Sequence, residues 1–362
     1  MEVGATLLGW THKAFPMDDP SRVGEARRHA AQAVADMGWG EVDAGRLALV
    51  VTELGTNLQR HAQNGRMLLA AMPQSGEFEL ICIDNGPGIP DLALAMRDGH
   101  STGSTPGTGL GAVRRLANHF DIHSELPHGT VSVARLRAGP PVDTTPGLHV
   151  GAIRLPAPHE TVCGDGWALA TQGTQTTVLM ADGLGHGPEA AKASQAATTA
   201  FAEAPHGDLR ETLQAVHRAL QTTRGAAVCA LRIDMADHIA GNSTAGNTAD
   251  STSDATACGT VSYTGAGNIV GRVLSGVFDK SVITQHGTAG MQIRKPDITS
   301  LALPAHALVV LHSDGLETRW SVERIRPLLQ RDPTLVAAVL LRDHTRHRDD
   351  ATVVVIRPKE QP

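Results

Sequence analysis

Two sets of residues in this chain have the types and spacing to do chemistry on phosphate. In the second half, aspartates stand beside glycine or one another at the ends of apolar, strand-like runs: Gly164-Asp165, Asp182-Gly183, Asp314-Gly315 and Asp349-Asp350. Carboxylates gathered in one place repel unless a cation neutralises them, and oxygen-only ligands select Mg2+ or Mn2+. Two such ions can activate a water and clamp a phosphoryl group for in-line attack. In the first half, Ile81-Cys-Ile-Asp84 delivers one carboxylate into a turn that Gly86 and Gly88 keep free of side chains. Further on, Gly107, Gly109 and Gly111 open a helical stretch, where free backbone N–H groups favour phosphate. One end of this stretch could hold a base by hydrogen bonding and the other a polyphosphate.

Glu53 and Asn57 lie four apart in a helical pattern, so they share a face. A carboxylate there can orient a hydroxyl or accept its proton, and an amide oxygen one turn away can join Mg2+. Each feature taken singly has a plainer reading: a solvated polar stripe for Glu53 and Asn57, an ordinary turn for any one Asp-Gly. Their number and order favour chemistry.

The elements that must position these residues follow from periodicity. Helices are expected over Pro20–Met37, with Ser21 as N-cap, and over Glu41–Ala62, where Val42, Leu47, Leu49, Val50, Leu54 and Leu58 supply the apolar surface. Short strands are expected at Met67–Met72, Phe78–Ile83 and Thr130–Leu136, with a helix at Leu110–Asn118. Residues 139–147 are rich in proline and glycine and read as an exposed, flexible linker between units 1–138 and 148–358. The second unit is richer in strands, with helices at Pro188–Glu203, Asp208–Gln221 and near Pro333–Arg342. A polar insert at 237–258 is built mainly of Ser, Thr, Asn, Gly, Ala and Asp and has too little apolar surface to order itself.

Composition narrows the partners. The chain is 41% hydrophobic and carries a net charge of −6 with no long basic run, which argues against nucleic acid. Its four cysteines include no CxxC pair, so neither a disulfide framework nor a zinc site is expected. No signal-peptide pattern and no apolar run long enough to span a membrane is present, so a cytoplasmic, membrane-free location is expected.

The ordered set Glu53-Leu-Gly-Thr-Asn57, Asp84-Asn-Gly-Pro-Gly88, Gly107-Thr-Gly-Leu-Gly111 and His128-Gly-Thr130 resembles the sequence boxes of the GHKL ATPase/kinase superfamily. The likeness spans about residues 1–138 and, through Ile89–Thr102, is nearest the RsbT-like anti-sigma-factor and switch serine kinases of bacterial partner-switching modules. It implies a two-layer α/β Bergerat fold that binds ATP with Mg2+. Asn57 would be a metal ligand, Asp84 would hold the adenine amino group, and Glu53 would be the catalytic carboxylate. Thr130 would support the adenine side, and Gly86, Gly88, Gly107, Gly109 and Gly111 would shape the nucleotide site. Arg97–Thr105 would form a lid. The implied phosphate acceptor is a serine or threonine of a STAS-domain protein, of the anti-sigma-factor-antagonist or stressosome type. A sigma factor or a downstream phosphatase is a further implied partner, and a homodimer is an assembly open to such kinases. His61, His100, Arg114 and Arg115 are read as satisfied or solvated residues.

Val162-Cys-Gly-Asp165, Met180-Ala-Asp-Gly-Leu-Gly-His-Gly187, Leu311-His-Ser-Asp314-Gly and Arg348-Asp349-Asp350-Ala-Thr352 resemble the SpoIIE/RsbX branch of the metal-dependent Ser/Thr phosphatases, over about residues 147–358. The likeness implies a β-sandwich flanked by helices, with two Mn2+ or Mg2+. Asp182 would bridge the metals, the Gly183 carbonyl and Asp165 would join one, and Asp314 and Asp349 would hold the other. Asp350 takes a supporting role, His186 is either a general acid or a loop-ordering residue, and Arg154 is a positional candidate for gripping phosphate. The whole is then an α+β fusion: a bifunctional partner-switching regulator in bacterial stress or sigma-factor signalling. It would phosphorylate Ser/Thr of STAS-type regulators and dephosphorylate the same or a linked regulator. The alternative is a phosphatase whose ATP-binding half is a non-catalytic, nucleotide-responsive binding module.

Overall fold

The structure, a computed structural model, describes residues 5–97, 109–236 and 257–359. In chain order the first half forms β1 (Ala5–Leu8), β2 (Lys13–Pro16), α1 (Ser21–Asp36), α2 (Glu41–His61), β3 (Arg66–Met72) and β4 (Glu77–Ile83). It continues with α3 (Leu92–Ala95), α4 (Gly109–Leu116), β5 (His119–Glu125) and β6 (Gly129–Arg137). The second half forms β7 (Leu148–Leu155), β8 (Asp165–Gln172), β9 (Gln175–Gly183), α5 (Pro188–Glu203), α6 (Leu209–Leu220) and β10 (Ala226–Met235). Then come β11 (Ala257–Ala266), β12 (Val270–Leu274), β13 (Asp279–Ile283), β14 (Thr299–Pro304), β15 (Leu308–His312), α7 (Pro333–His344) and β16 (Ala351–Pro358).

Three sheets stack through the molecule. Strands β2-β3-β4-β6-β5 form the first-half sheet, and α1, α2 and α4 cover one face, packing Ala30, Leu47, Val50, Leu54 and Val113 against Phe78 and Leu80 of β4. In the second half, sheets β1-β8-β9-β10-β11-β14 and β13-β12-β15-β16-β7 face each other over Trp167, Met180, Leu231, Val309 and Val354. Helices α5 and α6 close the outer face of the larger sheet. The alternating inward side chains of these strands make this sandwich the stable arrangement.

Helix α7 closes the other sheet, and it is shared. Residues Pro333 to Arg342 are all buried, because one side packs on Ile153, Val310 and Val353 of the sandwich and the other on Leu68, Ile81, Val131 and Val133 of the first-half sheet. Burying each of Leu335, Val336, Val339, Leu340 and Leu341 contributes roughly 1.5–3 kcal/mol. Asp332 caps the helix, accepting from Thr334 N at 2.8 Å, and Pro333 suits the first turn.

The halves are therefore not separate bodies on a flexible linker, as the proline-rich run suggests. Lys359 holds that run, donating to Asp143 at 2.9 Å and, through its backbone N–H, to Gly147 O at 2.8 Å. Nor do residues 5–8, which the sequence groups with the first unit, lie in the first-half sheet. Strand β1 pairs with β8, Leu7 enters the sandwich core, and Trp10 stands edge-on to Trp167 at 4.9 Å. Gly9 is needed there, since a Cβ would lie 2.5 Å from the Trp167 indole.

Two local expectations change as well. Asp19, not Ser21, satisfies the start of α1, accepting from Ser21 N at 2.8 Å. Val42 and Leu49 are 79% and 55% exposed, so the apolar face of α2 is narrower than its sequence suggests. Most of the insert, residues 237–256, and the core of the expected lid, 98–108 with Gly107 and His100, lie outside the described residues.

Candidate active sites

The first site is built at the end of β4. Ile81, Cys82 and Ile83 are buried on a central strand, so the chain must emerge from the sheet at Asp84. The Asp84 backbone N–H donates to Thr130 O at 3.0 Å, and its Oδ1 accepts from Gly86 N at 2.7 Å. Burial pushes the Asp84 carboxyl up, against the pull of the Gly86 and Thr130 backbone N–H groups on it. Gly129 lets β6 run against this turn: its φ is +89°, and a Cβ would fall 2.1 Å from the Asp84 carbonyl oxygen. Gly88, with φ +79°, likewise backs onto Glu125 O. The Thr130 hydroxyl meets Ser124 Oγ at 2.9 Å, and Ser124 Oγ accepts from Ile89 N.

These turns enclose a cavity of about 850 Å³ lined by Glu53, Asn57, Asp84, Gly88, Gly109 and Thr130, with Arg60 and His61 at its wall. Gly86 stands behind Asp84, and Gly111 is buried on the inner side of α4. Among the described residues, a Cβ on Gly109 would meet nothing within 4 Å. A nucleotide fits this arrangement: one buried carboxylate faces a turn, a glycine-lined helix start lies opposite, and a Glu–Asn pair stands on α2.

The second site lies where strand ends of the sandwich meet. Asp165 opens β8 directly opposite Asp182 on β9. Asp165 Oδ2 accepts from Ser313 Oγ at 2.7 Å, while its buried Oδ1 has no hydrogen-bond partner among the described residues. Burial pushes Asp165 up to about 7. Burial, then the charges of Asp165, Asp314, Asp349 and Asp350, push Asp182 up to about 9. Burial and Asp349 raise Asp314, whose Oδ2 accepts from Asn268 Nδ2 at 2.6 Å. Asp349 Oδ1 accepts from Asp350 N at 2.9 Å. Asp350 Oδ1 accepts from Ala157 N at 2.8 Å, and its buried Oδ2 also has no hydrogen-bond partner among the described residues.

Glycines make this crowding possible. A Cβ on Gly183 would lie 2.2 Å from Ala190 O, and one on Gly315 would lie 2.0 Å from Asp350 O. Among the described residues no three His, Cys, Asp or Glu side chains already form a closed ligand cage, so the carboxylates converge without meeting. Raised carboxyls with buried oxygens at the strand ends are the donor set a hard divalent cation fits. At the rim, His186 Nδ1 lies 2.7 Å from Glu160 Oε1, and that hydrogen bond raises the imidazole. Arg154 is near enough for its charge to lower Asp165, and its buried Nε has no partner among the described residues.

Residues 17–135 match the model of the histidine kinase-like ATPase domain. Over 107 residues the chain is 34% identical to the serine/threonine-protein kinase RsbT of Bacillus subtilis, covering 29% of this chain and 80% of RsbT. The chain belongs to the histidine kinase-like ATPase family. The chain is also similar in fold to a structure from work on the bacterial stressosome as a modular system adapted to control secondary messenger signalling: TM-score 0.50, 23% identity, 58% of this chain and 99% of that one. RsbX in complex with magnesium aligns with a TM-score of 0.47 at 18% identity, over 59% of this chain and 97% of RsbX. The α+β class read from the sequence, an ATPase unit with a helix-flanked sandwich, is the observed one.

Within this ATPase-family fusion the first site gathers every predicted residue that the structure describes, with Gly86 and Gly111 in supporting positions and Gly107 outside the described residues. Asp165, Asp182, Asp314 and Asp349 also fall together. Sequence reasoning missed Ser313, Asn268 and Glu160. Ser313 adjoins a flagged aspartate, but nothing in the sequence says its hydroxyl turns back to Asp165, 148 residues away.

Proposed function

We propose that the chain is a bifunctional phosphorylation switch acting on serine or threonine of a STAS-type regulator. In the first half, ATP would lie in the cavity with its adenine amino group on Asp84 and its polyphosphate toward the start of α4. Asn57 would hold Mg2+ through its amide oxygen. Glu53 would take the proton of the acceptor hydroxyl as the hydroxyl oxygen bonds to the γ-phosphorus and the β–γ bridging bond breaks.

In the second half, Asp182, with the Gly183 carbonyl, Asp165, Asp314 and Asp349, would hold two Mn2+ or Mg2+. When bound, such ions supply a hydroxide-like nucleophile and neutralise the phosphoryl oxygens. The chain's own groups do the rest. Asp350 braces the backbone at Ala157, Arg154 would grip a phosphoryl oxygen, and His186, whose imidazole is raised by its hydrogen bond to Glu160, would give a proton to the leaving serine or threonine oxygen.

The observation that carries this reading is the strand-end group of carboxylates, two of them with buried oxygens that have no partner among the described residues, in a chain that also has a cavity lined by Glu53, Asn57, Asp84, Gly88 and Gly109. The test uses the full chain with ATP, Mg2+, Mn2+ and a purified STAS-domain protein, followed by intact mass. Wild type should cycle the partner, Asp182→Asn should accumulate its phosphorylated form, and Glu53→Ala should leave it unmodified. A partner that gains no phosphate from Asp182→Asn would overturn the kinase assignment. The second reading, a phosphatase with a nucleotide-responsive binding module, is favoured by the packing of the first half on α7. It would stand if nucleotide binds and Glu53→Ala changes nothing.

A further inference from the structure

Helix α7 is tied to the first half directly at its N-terminal end and through Arg324 at its C-terminal end. At its N-terminal end, Asp332 accepts from Arg135 Nη1 at 2.6 Å and Nη2 at 3.0 Å. At its C-terminal end a chain of polar contacts runs between the two sites. His128 immediately precedes Gly129, which backs onto Asp84, and lies two residues before Thr130 of the cavity wall. Arg324 Nη2 donates to the His128 imidazole at 3.1 Å, and its Nη1 lies 3.5 Å from Asp343. Asp343, near the end of α7, holds the buried guanidinium of Arg342 at 2.7 Å.

Beyond α7 the backbone ties itself to the Asp314 loop. Glu317 N donates to His344 O at 2.9 Å, Thr345 bridges Leu316, and Arg346 N donates to Gly315 O at 2.8 Å. Asp349 follows three residues later. Arg324 and Asp343 are not among the residues that line the nucleotide cavity. A buried helix packed on both sides moves as a body rather than deforming, so a shift at its end is passed on to the loop it is bonded to.

We infer that the nucleotide cavity has a second function: its occupant is an effector of the carboxylate site, acting through His128, Arg324, Asp343 and the end of α7. This rests on the two sites proposed above. An effector needs different affinity for two arrangements, and the His128–Thr130 segment, one wall of the cavity, is where a bound base can impose that difference.

The test measures p-nitrophenyl phosphate hydrolysis by the full chain in saturating Mn2+, with and without ADP, beside binding of a fluorescent ADP. ADP should change kcat/KM about five-fold or more in wild type, the lower range of measured couplings. In Arg324→Gln, and independently in Asp343→Asn, the change should fall below about two-fold, with basal hydrolysis and ADP affinity retained. Hydrogen exchange of the metal-free chain gives a readout apart from turnover: ADP should alter exchange over 343–350 in wild type but not in Arg324→Gln. If ADP binds and hydrolysis proceeds but neither rate nor exchange responds, or if both variants respond like wild type, the coupling is overturned. A wild-type chain that binds no ADP or hydrolyses no phosphate monoester overturns the site assignments themselves.

Discussion

Glu79, between the two halves, and Asp165, in the second, are carboxylates with no exposure to water, yet their surroundings treat them oppositely. Burial pushes Glu79 up, but the charge of Arg135 at 2.7 Å and a hydrogen bond from His12 at 3.1 Å outweigh it and leave the group below its ordinary value. Its neighbour Asp332 is held lower still by Arg135, with a hydrogen bond from His119. Asp165 and Asp182 form no ion pair with a described residue, and burial and mutual charge push them up. A buried carboxylate whose cation is supplied by the chain is a structural clamp. One left without a cation is unfavourable as it stands and keeps its place only if something else brings the charge. The same residue types thus do different work according to what faces them.

The most severe way to break this comparison is to take the cation from the clamp. Arg135→Ala leaves two buried carboxylates uncompensated and should cost about 3–5 kcal/mol, seen as a lower urea midpoint. Adding Glu79→Gln and Asp332→Asn should recover much of that loss. If Arg135→Ala unfolds like wild type, the clamp is not holding the halves.

The counterpart change in the second half should have the reverse sign on stability. Asp182→Asn removes the most strongly raised carboxylate, so the chain in chelator should melt a few degrees higher. Bound Mn2+ and phosphate-monoester hydrolysis should nevertheless fall by about 100-fold or more. A variant that melts lower while hydrolysing normally would make this group a structural one.

Acid sharpens the contrast. Glu79 and Asp332 sit below their ordinary values of 4.5 and 3.8, so their contribution is fully present above that range. It is lost as the pH falls through their folded-state values. Thermal melts in chelator should therefore show an acid limb below about pH 4 that is shallower in the Arg135→Ala, Glu79→Gln, Asp332→Asn chain. An unchanged limb would assign acid unfolding elsewhere.

Asp84 falls between the two cases: it is buried and raised, but backbone donors rather than a cation hold it. Asp84→Asn should weaken ADP binding about ten-fold, as loss of one hydrogen bond to a charged group implies, with a small change in melting. Equal affinity in a fluorescent-ADP titration would move the base elsewhere in the cavity.

Local pattern was enough to read most of the elements and both sets of chemically able residues. Pro188–Glu203 could be bounded to the residue, because proline at the first turn and the periodicity of its small apolar face are written in neighbouring positions. Asp84, Asp182 and the glycines around them were legible because such turns accept few alternatives at those positions. The tertiary structure alone decided what depends on distant register. It set β1 in the far sheet, turned Ser313 toward Asp165, left Val42 and Leu49 outside, and made α7 a layer common to both halves. A helix buried on every side has no polar face to mark its neighbours. Its near-continuous apolar sequence states that α7 is covered, and only packing can say by what.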